Sequence, residues 1–460
     1  MTETNTISMS ESELTEKIQS GELKICVIGI GRIGLPTALS FANSGLDTVG
    51  VDINKNLVDM INEKKFPLKD EPGYDVIFDR AISEKKFYAT TSLEEAVSKS
   101  NVIVLTLPTP MDSNHVPDYT ALKSVGKQLH NCISKGVLII VESTVEPGFI
   151  ENDFIKIIQG SDNSLQFGSD FSLGVSPETA NPGQILVDFE RLPRLIAGID
   201  EKTRDLILKI YKHVFTVDLI SMPNCKTANA VKLTTNVFRD LNIAFINELS
   251  QIFEKAGIDI MTVLDAAKSK YNFQAHYPGP GVGGPCLPVN SYQMINFAKN
   301  YSFDSFHLVE LGRKINEKMP KHTIDLLEEC LNETKKSFSD STILLLGASY
   351  KPDVKDIQLS PIEDIIRILQ EKHSKILIYD PYFKNSKIYG IETSNDLVSS
   401  LKESDALIVV TAHKEFHDLE SSFLKSKMKT PIVIDTRCLI DQYDAKKNGL
   451  IYRAIGRGKL

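Results

Sequence analysis

Apolar residues along this chain follow two rhythms. The first is a set of short runs rich in β-branched residues: Lys24–Ile30, Thr48–Asp52, Asn101–Leu107, Gly136–Val141, Ser172–Val175 and Leu195–Gly198. Runs of this length predict buried strands. The segments between them, such as Leu35–Ala42, Ser92–Ser98 and Tyr119–Ile133, are compatible with helix. Strand and helix in alternation predict a mainly parallel, doubly wound sheet. The alternation returns in Thr342–Gly347, Lys375–Asp380, Asp405–Thr411 and Pro431–Asp435, with helical stretches such as Ile362–Lys372 between them. The second rhythm lies in the middle. Cys225–Ala256 has no Pro or Gly, and Val231, Phe238, Leu241, Phe245, Leu249 and Ile252 recur at spacings of three, four and seven. That spacing predicts one face of a long helix. Lys232, Asn236 and Arg239 sit four and three apart and share a neighbouring face. Such a row is commonly a solvated face. On a helix otherwise so apolar it points to a ligand groove.

Composition adds bounds. At 460 residues, two or three domains are expected. An apolar fraction of 42% and a charged fraction of 24% are those of an ordinary soluble protein. The net charge of −8 argues against a general nucleic-acid binder. Cys26, Cys132, Cys225, Cys286, Cys330 and Cys438 are scattered, with no CxxC pair, so no metal site is expected and a reducing, cytoplasmic setting is. Residues 1–20 are polar and acidic and read as an extension rather than a signal peptide. The longest apolar runs, such as Val137–Val141, are strand-sized, so no membrane span is expected.

The first strand runs into Gly29-Ile30-Gly31-Arg32-Ile33-Gly34 and then a helix. Strand, GxGxxG and helix together are the context of a dinucleotide fingerprint. Gly29 makes the turn, Gly31 lets a pyrophosphate approach the backbone, and Gly34 lets helix pack on strand. Asp52 ends the second strand 23 residues after Gly29, near the usual offset of an acid that binds a ribose 2′-hydroxyl. A carboxylate there favours NAD over NADP. An Asp capping a turn is the bland alternative. Three motifs follow later strands: Thr106-Leu-Pro-Thr109-Pro, Glu142-Ser-Thr144-Val-Glu-Pro-Gly and Ser176-Pro-Glu178. Each alone is loop punctuation, but together they place hydroxyls and carboxylates on the rim where such sheets bind ligands. The last third lacks a GxGxxG and is expected to bind a sugar nucleotide or mononucleotide. Its loop Ser349–Asp356 carries Lys351 and Lys355, with a solvated turn as the alternative. The fold expected is α/β: two doubly wound Rossmann-like domains joined by a central long-helix domain. The boundaries fall at 1–20, 21–220, 221–325 and 326–460.

Residues 276–290 carry four glycines and four prolines around Cys286. This composition is expected to be irregular throughout. A lone cysteine is most often a small core hydrophobe. Held in a rigid turn, its thiolate could instead attack a carbonyl carbon.

Taken in order, GIGRIGLP, VDIN, LPTP, ESTVEPG, SPE, KLTTNVFRDLNIAFINE, GPGVGGPCLP, GASYKPDVKD and YDP resemble the UDP-glucose/GDP-mannose dehydrogenase superfamily over residues 24–456. The helix Phe238–Glu248 and the Cys286 loop are most similar to its UDP-N-acetylmannosamine dehydrogenase branch. The resemblance implies an NAD-dependent, four-electron oxidation of a UDP-sugar at C6 to the uronate, through a thiohemiacetal and a thioester on Cys286. It implies roles for Lys232 in stabilising oxyanions, for Asn236 as its companion, for Thr144 in ordering water and for Glu178 as base. It places NAD on Gly29 to Gly34, Asp52, Thr109 and Thr144. The UDP-sugar would meet Glu178, Lys232, Asn236, Arg239, Gly283, Arg313 and Lys351. A homodimer or higher oligomer built on the long helix, and a place in polysaccharide biosynthesis, are also implied.

Two positions depart from the family pattern. Asn290 stands where an Asp follows the nucleophile by four residues, and an amide can be neither base nor charge. Gln358 stands where an Arg is usual in D-x-R-x-S-P, here Asp356-Ile-Gln358-Leu-Ser-Pro. Competing readings are a UDP-glucose or UDP-N-acetylglucosamine 6-dehydrogenase, a two-electron hydroxyacid-type dehydrogenase, and a non-catalytic nucleotide-sugar sensor.

Overall fold

A computed structural model describes residues 5–303 and 305–458, and the chain divides into two compact units. The first holds the residues up to Thr235 together with Tyr292–Tyr301. The second holds Asn236–Ser291 and the residues from Ser302 onward.

The first unit is built on strands β1 (Ile25–Ile28), β2 (Thr48–Val51), β3 (Phe87–Thr90), β4 (Val102–Leu105), β5 (Val137–Val141), β6 (Phe171–Val175), β7 (Arg194–Gly198) and β8 (Leu219–Ser221). They lie in the order β3-β2-β1-β4-β5-β6-β7-β8. Neighbours are parallel except β6 and β7. Every residue of β1, β4 and β5 is buried, as parallel strands covered on both faces must be. Their side chains alternate between two cores. Ile25, Val27, Leu138 and Ile140 enter one, and Cys26, Ile28, Ile139 and Val141 enter the other. The acidic N-terminal segment forms a helix, Glu11–Ser20, started by a Ser10/Glu13 capping box. Its Leu14 and Ile18 join the first core. The order reverses at β1 and β4, and the fingerprint follows β1 into the helix Gly34–Asn43. Ligands in such sheets bind at this switch point.

The second unit carries β9 (Thr342–Leu346), β10 (Lys375–Tyr379), β11 (Lys387–Ile388), β12 (Ile391–Ser394), β13 (Ala406–Val409), β14 (Ile432–Asp435) and β15 (Ile451–Ala454), in the order β11-β12-β10-β9-β13-β14-β15. Among the strand pairs described in this unit, only β11–β12 is antiparallel. The architecture is therefore the expected α/β one, with two doubly wound sheets and a long helix, Cys225–Ala256.

One expectation is corrected. The Pro/Gly-rich stretch is not irregular to its end, because the helix Leu287–Asn300 starts directly after Cys286. Pro288 is tolerated there because the N–H groups of a first turn have no partner within their helix. On the long helix, the apolar stripe is not core throughout. Phe238, Phe245 and Ile252 are 52%, 52% and 55% exposed.

Candidate active site

The fingerprint glycines meet different demands. Gly29 has φ +92°, in the region that other residues resist. A Cβ on Gly34 would lie 2.1 Å from the Gly29 carbonyl oxygen and 2.4 Å from Thr106 Oγ1. A Cβ on Gly31 would meet nothing within 4 Å. Gly29 and Gly34 thus serve the fold, and the open side of Gly31 fits a ligand's approach. Ile30 is buried, and Ile33 directly precedes the helix. Arg32 pairs with Asp70 at 2.8 Å and Glu71 at 3.0 Å, which holds its side chain beside the loop. Asp52 lies just past β2, and its Oδ1 accepts from the Asn54 N–H at 2.9 Å.

The rim motifs meet as expected. The Thr109 hydroxyl donates to the Thr144 carbonyl at 2.8 Å, and Gln293 Nε2 donates to the same oxygen at 3.3 Å. Glu178 follows β6. Its Oε1 accepts from the Thr179 and Ala180 N–H groups at 2.6 Å each, and its Oε2 meets Arg194 Nη2 at 3.0 Å. Arg194 also reaches Glu142 Oε1 at 3.3 Å. Burial pushes the Glu142 carboxyl up to about 7, against the opposing pull of Arg194. Lys232 is buried, and its ammonium has no carboxylate partner among the described residues.

In the second unit, Cys286 is exposed and its thiol is free. Its carbonyl accepts from the Asn290 N–H at 2.8 Å, which makes Cys286 the cap of the helix. Its neighbourhood is one where a helix favours negative charge. Asn290 is buried, and its Oδ1 accepts from Asn236 Nδ2 at 2.5 Å. The loop is tied down at both ends. The Gly279 N–H donates to Asn247 Oδ1 at 3.0 Å, and the Ser291 hydroxyl donates to Asp240 Oδ2 at 2.7 Å. A Cβ on Gly283 would lie 2.4 Å from the Leu359 carbonyl oxygen, and the Gly284 N–H donates to the Gln358 carbonyl at 2.9 Å. The Cys286 loop therefore packs on the backbone of the departing Gln358 segment. Arg239 is exposed and Lys351 half-buried. Arg313 is buried, paired with Asp240 at 2.9 Å and Glu317 at 3.2 Å.

Comparison with known proteins decides the family. Its sequence profiles match in order: the NAD binding domain over residues 23–215, the central domain over 226–318 and the UDP binding domain over 344–442. The chain belongs to the UDP-glucose/GDP-mannose dehydrogenase family. A UDP-N-acetyl-D-mannosamine dehydrogenase of Pyrococcus horikoshii is 32% identical, covering 95% of this chain and 100% of the relative. A UDP-N-acetyl-D-glucosamine 6-dehydrogenase of Pseudomonas aeruginosa is 30% identical over 92% of this chain and 98% of its own. A solved structure of a UDP-D-ManNAc dehydrogenase from Pyrococcus horikoshii superposes with a TM-score of 0.88 at 32% identity, covering 95% and 100%. The chain is an NAD-dependent dehydrogenase of this family, and Gly31 with Asp52 fits the cofactor.

For this dehydrogenase, sequence reasoning missed Arg194, Asp240, Asn247 and Asn316. Asp240 accepts from Asn316 Nδ2 at 2.8 Å, and Asn247 Nδ2 donates to Asn316 Oδ1 at 2.9 Å. A signal was present: 232, 236, 240 and 247 continue one stripe of the long helix at spacings of four, four and seven.

Proposed function

We propose that this dehydrogenase oxidises the C6 hydroxyl of UDP-N-acetylmannosamine to the carboxylate, in two NAD-dependent steps through Cys286. Bound NAD supplies the hydride acceptor, held by Gly29, Ile30, Gly31, Arg32, Ile33, Gly34, Asp52, Thr109 and Thr144. Lys232 and Asn236, one turn apart on the long helix, stabilise negative charge developing on the C6 oxygen, an effect worth several kcal/mol in a dry site. Sγ of Cys286 adds to the C6 aldehyde to give a thiohemiacetal. Removal of a second hydride, with loss of the thiohemiacetal's hydroxyl proton to solvent, leaves a thioester. Water ordered by Thr144 then attacks the acyl carbon, Glu178 takes the water's proton, and the C–S bond breaks to release the uronate and the Cys286 thiolate. Arg239, Gly283 and Lys351 contact the sugar nucleotide in this reading. Arg313, already paired with Asp240 and Glu317, acts on substrate through that pairing.

One observation carries the reading. Cys286 is an exposed thiol at the start of a helix whose first turn holds Asn290 on Asn236. The test is the ratio of NADH to uronate, expected at two, with Cys286→Ala losing turnover. A ratio of one would remove the thioester scheme. UDP-N-acetylglucosamine is the second reading, supported by the Pseudomonas relative, and parallel assays of the two sugars decide between them. Six free cysteines support a reducing compartment such as the cytoplasm. No described helix is long and apolar enough to cross a membrane. The exposed stripe Phe238, Phe245 and Ile252, with Leu308 and Leu311 also exposed, supports a homodimer.

A further inference from the structure

Glu178 does not stand alone on its rim. The β6–β7 pair is antiparallel, with Gly174 opposite Gly198 and Val175 opposite Ala197. Each step forward along β6 is a step back along β7. Continued three residues past β6, this register brings Glu178 level with Arg194, the first residue of β7. In a parallel pair the start of β7 would lie at the other end of the sheet. The reversal of β7 against β6 is therefore what delivers a guanidinium to the carboxylate.

That guanidinium serves two anions. Nη2 lies 3.0 Å from Glu178 Oε2, and Nη1 lies 3.3 Å from Glu142 Oε1. Its central carbon stands 3.8 Å from the Phe215 ring centre and 4.3 Å from that of Phe189, so the fork is held between two aromatic faces. Glu142 is anchored separately. The Tyr211 hydroxyl donates to Oε1 at 2.7 Å and the Thr37 hydroxyl to Oε2 at 3.1 Å. Arg194 is 4% exposed and Glu142 2%, so neither can exchange its partner for water.

We propose that Arg194 is a positioning residue that shares its charge between Glu142 and Glu178, so that Glu178 can accept a proton without stranding a buried guanidinium. The inference rests on Glu178 acting as the base in thioester hydrolysis. In that step water loses a proton to Glu178 as its oxygen bonds the acyl carbon, and the Cys286 C–S bond then breaks. Once Glu178 is neutral, the charge of Arg194 would be buried and unpaired, a costly state. Glu142 prevents it by remaining as counter-ion. With both carboxylates charged, the cluster carries one excess negative charge, which favours proton uptake. The other titratable groups facing the cluster are Tyr211 and Tyr74, both shifted upward by burial and so neutral here.

The test uses Glu142→Gln and Arg194→Lys in the full chain, with Glu178→Gln as reference. The amide of Glu142→Gln keeps shape and an acceptor while removing the second anion. Arg194→Lys keeps the charge but cannot span both carboxylates. Each is expected to release two NADH per site in a burst and then turn over about tenfold more slowly, with the UDP-sugar KM within twofold of wild type. The acylated Cys286 should be visible by intact-protein mass. Unfolding temperature and NAD binding check the fold. If Glu178→Gln accumulates acyl-enzyme while both other variants hydrolyse it at the wild-type rate, the charge-sharing role is overturned. If Glu178→Gln itself turns over normally, the base assignment fails instead.

Discussion

Asn290 is the residue where resemblance and geometry disagree most usefully. The family pattern has a carboxylate there, and this chain has an amide. The side chain is nonetheless buried, one turn after Cys286, with its oxygen accepting from Asn236. That contact needs an acceptor and not a charge. Asn290→Asp supplies the same acceptor, so kcat should be kept or raised. Asn290→Ala removes it and leaves the Asn236 amide short of a partner, a penalty of about 1–3 kcal/mol. If that penalty falls on the transition state, kcat drops roughly tenfold to hundredfold. Steady-state rates of the two variants decide the matter. A dead Asn290→Asp would mean that the amide nitrogen, and not the oxygen, is the working group.

At the scale of elements, the fingerprint loop separates fold from ligand. In Gly34→Ala the new methyl would sit against the Gly29 carbonyl. Such overpacking costs about 1–3 kcal/mol, which should lower the unfolding temperature by several degrees. In Gly31→Ala nothing within 4 Å opposes the methyl, so thermal stability should hold while NAD affinity falls at least about tenfold, ~1.4 kcal/mol. Equal unfolding temperatures for the two variants would refute the division. The long helix offers a second element-scale prediction. Phe238, Phe245 and Ile252 recur every seven residues on an exposed line, and burying each such side chain is worth about 1.5–3 kcal/mol. Phe245→Arg should convert a dimer to a monomer in sedimentation. A wild-type protein already monomeric at micromolar concentration would exclude this line as the interface.

Elements were legible from the chain to the degree that they are buried. β1, β4, β5, β9 and β13 are buried throughout and read as unbroken apolar runs. β3, β8, β11, β12 and β15 were missed because they are short and none is buried throughout, so no unbroken apolar run marks them. The helix after Cys286 was missed because Pro288 reads as a breaker, although a first turn tolerates it. Arg194 was missed for another reason. Its role comes from the antiparallel register of β7, and periodicity cannot report the direction of a strand.

For the whole molecule, the family's NAD binding and UDP binding domains match separate stretches, and each proposed ligand draws on its own residues. Asp52 belongs to the first unit and Lys351 to the second. Asp52→Asn is a clean probe, because an amide oxygen can still accept from the Asn54 N–H and keep the turn after β2. What it loses is the charge that favours a 2′-hydroxyl and repels a 2′-phosphate. NAD affinity should fall about tenfold, the gap to NADP should narrow, and UDP-sugar affinity should stay constant. Lys351→Ala should do the reverse, weakening the UDP-sugar about tenfold or more through loss of a charged partner for phosphate and leaving NAD unchanged. Calorimetric titration of each ligand into each variant reads the four affinities directly. Should either substitution weaken both ligands equally, Asp52 and Lys351 would be acting through the fold and not through their own ligand.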